Sequence, residues 1–308
     1  MAQSRTELAD LLAPGAVPEL LGGGMTWAEG PLWVPARQAV RCSDIPGDRV
    51  MEWHAPTGRW GVLAHPVGFT NGRTLGLGGE EVRCSHGHRR VEVVRDGVVT
   101  VLVDSWRGHR LNSPNDVVVP SDGTVWFTDP AYGIHRPEEG HPGEEEYGGH
   151  HVFRHDPATG ALDAVVTDVT MPNGLAFSPD ESVLYVADSS RTPTRAGDPP
   201  GPGHAVHAYD VVDGRRCERG RVLAEVDPGV PDGIRVDELG HLWTTSDDAV
   251  LVLRPDGGEV GRVRVGELVS NLCFGGQDGT DLFVTASSGL HRLRTRVRDA
   301  AAVLAPRG

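Results

Sequence analysis

Short apolar runs separated by turn residues recur along the whole chain, and they come in pairs. The second member of each pair is the easier to see: AVRCSD (39–44), EVRCSH (81–86), VWFTD (125–129), LYVADS (184–189), LWTTSD (242–247) and LFVTAS (282–287). Ahead of each lies a marker, a carboxylate or amide residue usually followed by Gly or Asp and then an apolar stretch. The markers are Glu29, Asn71, Asn115, Asn173, Asp232 and Asn271. Turn signals such as Ser121-Asp122-Gly123, Pro179-Asp180 and Asp278-Gly279 separate the two runs, as a hairpin requires. Third and fourth runs follow in most units, for example HVFRHD (151–156) then ALDAVV (161–166), and VLVLRPDG (250–257) then EVGRVRV (259–265).

Four short antiparallel strands per unit of about 40–45 residues is the pattern of a propeller blade. The predicted fold is therefore all-β, a six-bladed β-propeller with four-stranded antiparallel blades. The sixth unit runs out after its third strand, HRLRT (291–295), while VPELLGG (17–23) has no partner of its own. We expect that N-terminal strand to complete the last blade and close the ring, which removes an open sheet edge. A seven-bladed WD-type ring is disfavoured, because Gly-His and Trp-Asp markers do not recur in register. The expectation is one domain over 1–308: a short helical extension (1–16) closed by Pro14-Gly15, the propeller (17–295), and a C-terminal tail (296–308).

Two irregular segments stand apart from the repeat. HRPEEGHPGEEEYGGHH (135–151) is acidic and His-rich, and SSRTPTRAGDPPGPGH (189–204) is rich in Pro and Gly. Both fall between the second and third strands of their units, so they are expected as loops at one end of the barrel. A charged lid over its mouth is a better use for them than a transition-metal site at His141, His150, His151 and His155.

Composition narrows the function. The formal net charge of −14 repels phosphate backbones and anionic membranes, which argues against nucleic-acid and membrane-surface roles. No apolar run has the length of a membrane span, and MAQSRTELADLLAPG does not resemble a secretion signal, so the expected location is cytoplasmic. Cys42, Cys84, Cys217 and Cys273 never form C-x-x-C and read as small buried hydrophobes. A monomer or homodimer acting on a small molecule fits this profile.

The markers carry the chemistry. Equivalent positions of a propeller form a ring about its axis, so six oxygen-bearing side chains would converge in a narrow channel. Buried carboxylates without partners are strongly destabilising. A hard divalent cation resolves this, since Glu29 and Asp232 bring charge and the asparagines bring neutral carbonyl oxygens. An oxygen-only set favours Ca²⁺, with Mg²⁺, Mn²⁺ or Zn²⁺ as lesser options. The competing structural reading is that Asn-Gly and Asp-Gly are ordinary turn dipeptides. Pro114, Pro172 and Pro231 precede three of the markers and fix an extended entry to the strand.

The segments AEGPLW (28–33), SDIPGDRVMEW (43–53), CSHGHRRV (84–91), RLNSPNDVVV (110–119), GTVWFTDPAYG (123–133), MPNGLAFSPDESVLYVAD (171–188) and PDGIRVDELGHLW (231–243) resemble the gluconolactonase / senescence-marker-protein (regucalcin) family over roughly residues 18–295. The resemblance implies a six-bladed propeller, a divalent metal in the central channel and hydrolysis of sugar lactones. It places metal ligands at Glu29, Asn173 and Asp232, with Asn115 a further ligand or a substrate contact. The regucalcin branch has an Arg where this chain has Ser113; RLNSPND instead looks like the bacterial gluconolactonase branch, in which Asn112 lies near the substrate. On this reading the metal polarises the lactone carbonyl, and Asp232 assists water attack as general base or, alternatively, acts as nucleophile. Asp129, Asp188 and His86 are substitutes for the base, and Asn115, Asn112, His86, Asp129 and Tyr132 are the expected substrate contacts. Two alternatives stay open: a phosphotriesterase-type hydrolase like diisopropyl-fluorophosphatase, and a noncatalytic propeller stabilised by its metal. No G-x-S-x-G elbow or phosphate-binding fingerprint is present.

Overall fold

The computed structural model describes residues 6–195 and 197–301. Six four-stranded antiparallel sheets are arranged as a six-bladed β-propeller. Their innermost strands are Ala28–Val34, Thr70–Leu75, Val117–Val118, Pro172–Phe177, Ile234–Val236 and Val269–Gly275. The first blade, Ala28–Val34, Ala39–Asp44, Arg49–His54 and Arg59–Ala64, steps outward in chain order, as do the next four. Burial follows that order: the inner strand 28–34 is almost wholly buried, whereas its outer strand 59–64 is mostly exposed. Short strands rich in Val, Thr and aromatics suit such half-buried pleated surfaces.

The sixth blade is completed as the sequence predicts. Glu19–Gly22 pairs antiparallel with Gly289–Arg294, with Glu19 opposite Arg292 and Leu20 opposite His291. A salt bridge of 2.6 Å from Arg292 to Glu19 reinforces the seam. Leu8–Leu11 is one helical turn whose Leu11 is buried between the fifth and sixth blades. Residues 1–5 of the expected helical extension lie outside the described residues. Past the last strand, the Arg296 amide donates to the Leu11 carbonyl, and Val297 and Ala300 are buried. The remainder of the predicted tail, 302–308, lies outside the described residues.

The core is divided among the seams between blades. Separate apolar clusters fill the seams two–three (Val82, Val117, Phe127), three–four (Trp126, Leu175, Val186), four–five (Ala187, Ile234, Leu251), five–six (Trp243, Leu272, Leu282) and six–one (Val40, Trp53, Phe283). The seam between blades one and two is different. There, Arg41 of the first blade donates to Glu81 of the second at 2.9 Å and to Glu52 of its own blade at 3.1 Å. The fully buried Arg73 lies 3.6 Å from the same Glu81 and donates to Thr70 and Ser43. Charge matched by charge takes the place of an apolar filling.

Candidate functional site

The marker dipeptides serve close approach around the axis, in place of turns. The Gly174 amide donates to the Asp232 carbonyl at 2.9 Å, so the fourth and fifth inner strands touch backbone to backbone. A Cβ on Gly174 would lie 2.2 Å from that carbonyl oxygen, and one on Gly233 would lie 2.2 Å from Asn271 Oδ1. Only glycine fits there. The pairing register shifts between Glu29 and Leu32, between Thr70 and Arg73, and between Pro172 and Leu175. Such irregularities bend a strand and re-aim its side chains.

Glu29, Asn71, Asn115, Asn173 and Asp232, from five different blades, line a single cavity of about 430 Å³. The sixth marker, Asn271, stands behind them: its Nδ2 donates to Glu29 Oε2 at 3.0 Å. The Gly30 amide donates to the same oxygen at 2.8 Å. Burial pushes the Glu29 carboxyl up to about 8, and the nearby charges of Asp116 and Glu139 add to the push. Burial also drives Asp232 well above the ordinary carboxylate range, helped by Glu29, Asp116 and Glu139. Two acids therefore share one poorly solvated place, a combination typical of functional sites.

The donor chemistry fits a hard divalent cation. Among the described residues no group of three or more His, Cys, Asp or Glu side chains is arranged to hold a metal ion by itself. The two carboxylates are supplemented instead by amide groups, and buried Asn71 Oδ1 has no hydrogen-bond partner. A doubly charged ion relieves the mutual repulsion of Glu29 and Asp232, and hard cations select carboxylate and amide oxygens.

The mouth of the cavity is built from the two irregular segments. Arg136, Glu138 and Glu139 come from one, and Ser189, Arg191 and Thr192 from the other. They brace each other: His135 Nδ1 pairs with Thr194 Oγ1 at 2.9 Å, and Arg136 donates to the Pro193 carbonyl at 2.8 Å. Arg136 also forms a 2.7 Å ion pair with Glu139 and lies over the Tyr132 ring. Tyr132 lines the cavity, and burial raises its hydroxyl far above the usual phenol range. The histidines of this region form no metal-holding group among the described residues, although His135 and His150 share Glu145 as a partner. His141 packs edge-on against Phe69, His150 pairs with Glu145, and His151 packs on Trp106 and Tyr147.

The other expected site residues sit one layer back. His86 is fully buried, with Nε2 3.3 Å from Asn71 Nδ2 and Nδ1 3.2 Å from the Glu139 carbonyl. Asn112 and Asp129 do not line the cavity. Asn112 Nδ2 donates to Asp129 O, Tyr147 Oη and Gly149 O. The Asp129 carboxylate accepts the amides of Asn112 and Ser113 at 2.7 and 2.8 Å and the Tyr147 hydroxyl at 2.8 Å. Burial holds its carboxyl up to about 7. These two residues fix the 112–116 segment that carries Asn115. Asp188 is likewise engaged with backbone, accepting from the amides of Met171 and Ser190. Arg136 and Glu139 were not foreseen, since no repeat or motif marks them within a long polar loop. Asn71 belongs to the marker ring as one of its asparagine oxygen donors, although the family resemblance assigns it no role; the structure places it on the cavity wall.

Propeller and cavity together define a ring protein with an axial, acid-and-amide pocket suited to a small oxygen-rich molecule. The chain belongs to the SMP-30/Gluconolactonase/LRE-like family, whose model matches residues 27–288. A gluconolactonase of Zymomonas mobilis is 32% identical over 302 residues, covering 90% of this chain and 81% of the relative. The structure of a gluconolactonase from Xanthomonas campestris is 36% identical, with a TM-score of 0.85 over 94% of this chain and 93% of that one. A pentonolactonase of Haloferax volcanii is 29% identical, covering 85% of this chain and 81% of the relative.

Proposed function

We propose that the protein hydrolyses a sugar lactone to the open-chain aldonic acid. The observation that carries this reading is the meeting of buried Glu29 and Asp232 with Asn115 and Asn173 on one cavity wall. Relatives named for gluconolactone and pentonolactone hydrolysis support the substrate class. Glu29, Asn115, Asn173 and Asp232 would hold a divalent cation, calcium being the best match to an all-oxygen set. Such an ion, when bound, supplies Lewis-acid polarisation of the lactone carbonyl and the positive charge that lets both carboxylates ionise.

The chain's own groups supply the rest. Asp232, on the cavity wall, takes a proton from the attacking water as the new C–O bond forms. The ring C–O bond then breaks, and the departing ring oxygen receives the proton that Asp232 took up. Tyr132 keeps its hydroxyl proton because of burial, so it remains a donor to the sugar. Asn115 presents an amide, and Arg136 a guanidinium, to the remaining hydroxyls at the rim. Asn112 and Asp129 act at a distance by holding the loop that aims Asn115.

A pH-stat assay tests the reading. Protein freed of metal by EDTA should open D-glucono-1,5-lactone no faster than buffer, and added calcium should restore the rate. Organophosphates in the same panel separate this chemistry from phosphotriester hydrolysis on the same donor set. Turnover that is indifferent to EDTA would reject the metal-assisted form.

A further inference from the structure

The mouth of the axial cavity has two unlike halves, and the closed ring decides which residues fall in which. The third and fourth blades supply its charged and hydroxyl-bearing rim, with Arg136, Glu139, Ser189 and Arg191. The fifth, sixth and first blades follow one another around the ring. They supply Val230, Leu268, Val269, Trp27, Ile45 and Pro46 to the same cavity. Besides the axial Glu29 and Asp232, Asp247 is the single charged residue on that arc among the described lining residues. Leu268 is 46% exposed, and Trp27, Pro46 and Val230 are half-buried. A lone exposed leucine needs no explanation, but neighbouring apolar side chains beside a polar rim mark a place for a ligand. The arc is also anchored through its main chain. The Trp27 amide donates to Asp44 Oδ1 at 3.2 Å, and the Trp27 carbonyl accepts the Ile45 amide at 3.1 Å. The Leu268 carbonyl accepts the Ser287 amide at 2.9 Å.

We infer that Trp27, Pro46, Val230 and Leu268 form an apolar shelf that receives an alkyl or aryl group carried by the lactone. The inference rests on the lactonase reading and names a substrate class within it: lactones with a hydrophobic substituent. A free six-membered aldonolactone carries a hydroxyl or hydroxymethyl group on every ring carbon outside the carbonyl. Such a molecule answers the polar half of the mouth and leaves the shelf facing hydroxyls. A hydrophobic substituent removes both its own surface and that of the shelf from water, and the gain grows with the area covered. The reacting carbonyl stays at the axis in either case, so the shelf sets preference without taking part in the chemistry.

The test compares δ-hexalactone, δ-octalactone and δ-decalactone at saturating calcium. Their chains leave the ring carbon that bears the hydroxymethyl group in D-glucono-1,5-lactone. In the unmodified protein kcat/KM should rise roughly twofold to fourfold for each methylene added. Leu268→Ser and Trp27→Ser should each flatten that rise, cutting the ratio of δ-decalactone to δ-hexalactone roughly fivefold or more. Leu268 is exposed, so its variant keeps the test open should Trp27→Ser fail to fold. A flat series would overturn the inference, as would no opening of the alkyl lactones by a protein that opens D-glucono-1,5-lactone. Variants that slow all four lactones equally would also overturn it, because that is the pattern of a wall stacking on the ring itself. If the unmodified protein opens no lactone at all, the lactonase reading falls, and calorimetry with the ring-opened 5-hydroxyalkanoates decides the shelf. Binding that tightens with each methylene would support it, and equal affinities would overturn it.

Discussion

Two groups of buried carboxylates in this propeller meet opposite fates. At the seam between the first and second blades, buried Glu81 and half-buried Glu52 are matched by Arg41, Arg37 and Arg73, and their pKa values fall despite the desolvation. Glu92 behaves alike, held down by Arg83 and Arg90. On the axis, Glu29 and Asp232 receive neighbouring acids, and their pKa values rise. A fold that can place arginines against buried acids at one seam gives Glu29 and Asp232 no ion-pair partner among the described residues; Arg136, which lines the same cavity, is paired with Glu139. Matched charge marks structure, and unmatched charge marks a place for a ligand.

The contrast can be broken most sharply at the axis. Asp232→Ala should reduce lactone turnover on the order of 10²–10⁴-fold while circular dichroism and solubility stay native. Glu29→Gln should abolish calcium binding by calorimetry, and it should raise the melting temperature of the metal-free protein by replacing an acid whose ionised form burial penalises. A stability loss as large as the activity loss would mean these acids are structural.

At the seam the expectation reverses. Glu81→Ala leaves the fully buried Arg73 without its ion-pair partner and half-buried Arg41 with only Glu52, and should cost about 3–5 kcal/mol in urea denaturation. Calcium should not repair that loss, because no axial residue is touched.

The pH response is the smallest effect and sharpens the comparison. Glu52, Glu81 and Glu92 have pKa values in the folded state below the ordinary 4.5. Protonation is therefore less favourable in the folded than in the unfolded chain. Their stabilisation is complete above about pH 4.5 and is lost as pH falls through the folded values, at about 1.4 kcal/mol per unit of difference. Glu92→Gln should flatten that acid limb in urea titrations between pH 5 and 3, as read by tryptophan fluorescence. An unchanged limb would show that the arginine pairing contributes little.

Much of the architecture was legible because the repeat is dense. Paired apolar runs, the short sixth unit and the orphan strand at 17–23 together specify both blade number and closure. The marker ring was legible for the same reason, and five of its six members do line one cavity. What periodicity cannot convey is which side of a polar residue is already used. Asn112 and Asp129 lie close to the marker Asn115 in sequence or in the sheet, yet the Asn112 side-chain nitrogen and the Asp129 carboxylate are engaged by backbone and Tyr147. Arg136 reaches the mouth through contacts between two loops distant in sequence, and no local pattern encodes such contacts.

The strand at Glu19–Gly22 has a consequence for synthesis. It leaves the ribosome ahead of all six blade interiors, but its partner Gly289–Arg294 follows the rest of the propeller. Five blades can assemble from neighbouring hairpins while this segment waits unpaired, and only the final hairpin gives it a place. Joining ends so far apart carries a loop-closure cost that grows slowly with length, so the delay is one of order more than of energy. Nascent chains arrested before residue 289 should therefore expose an apolar, unzipped flank, and those are the forms on which chaperones would act.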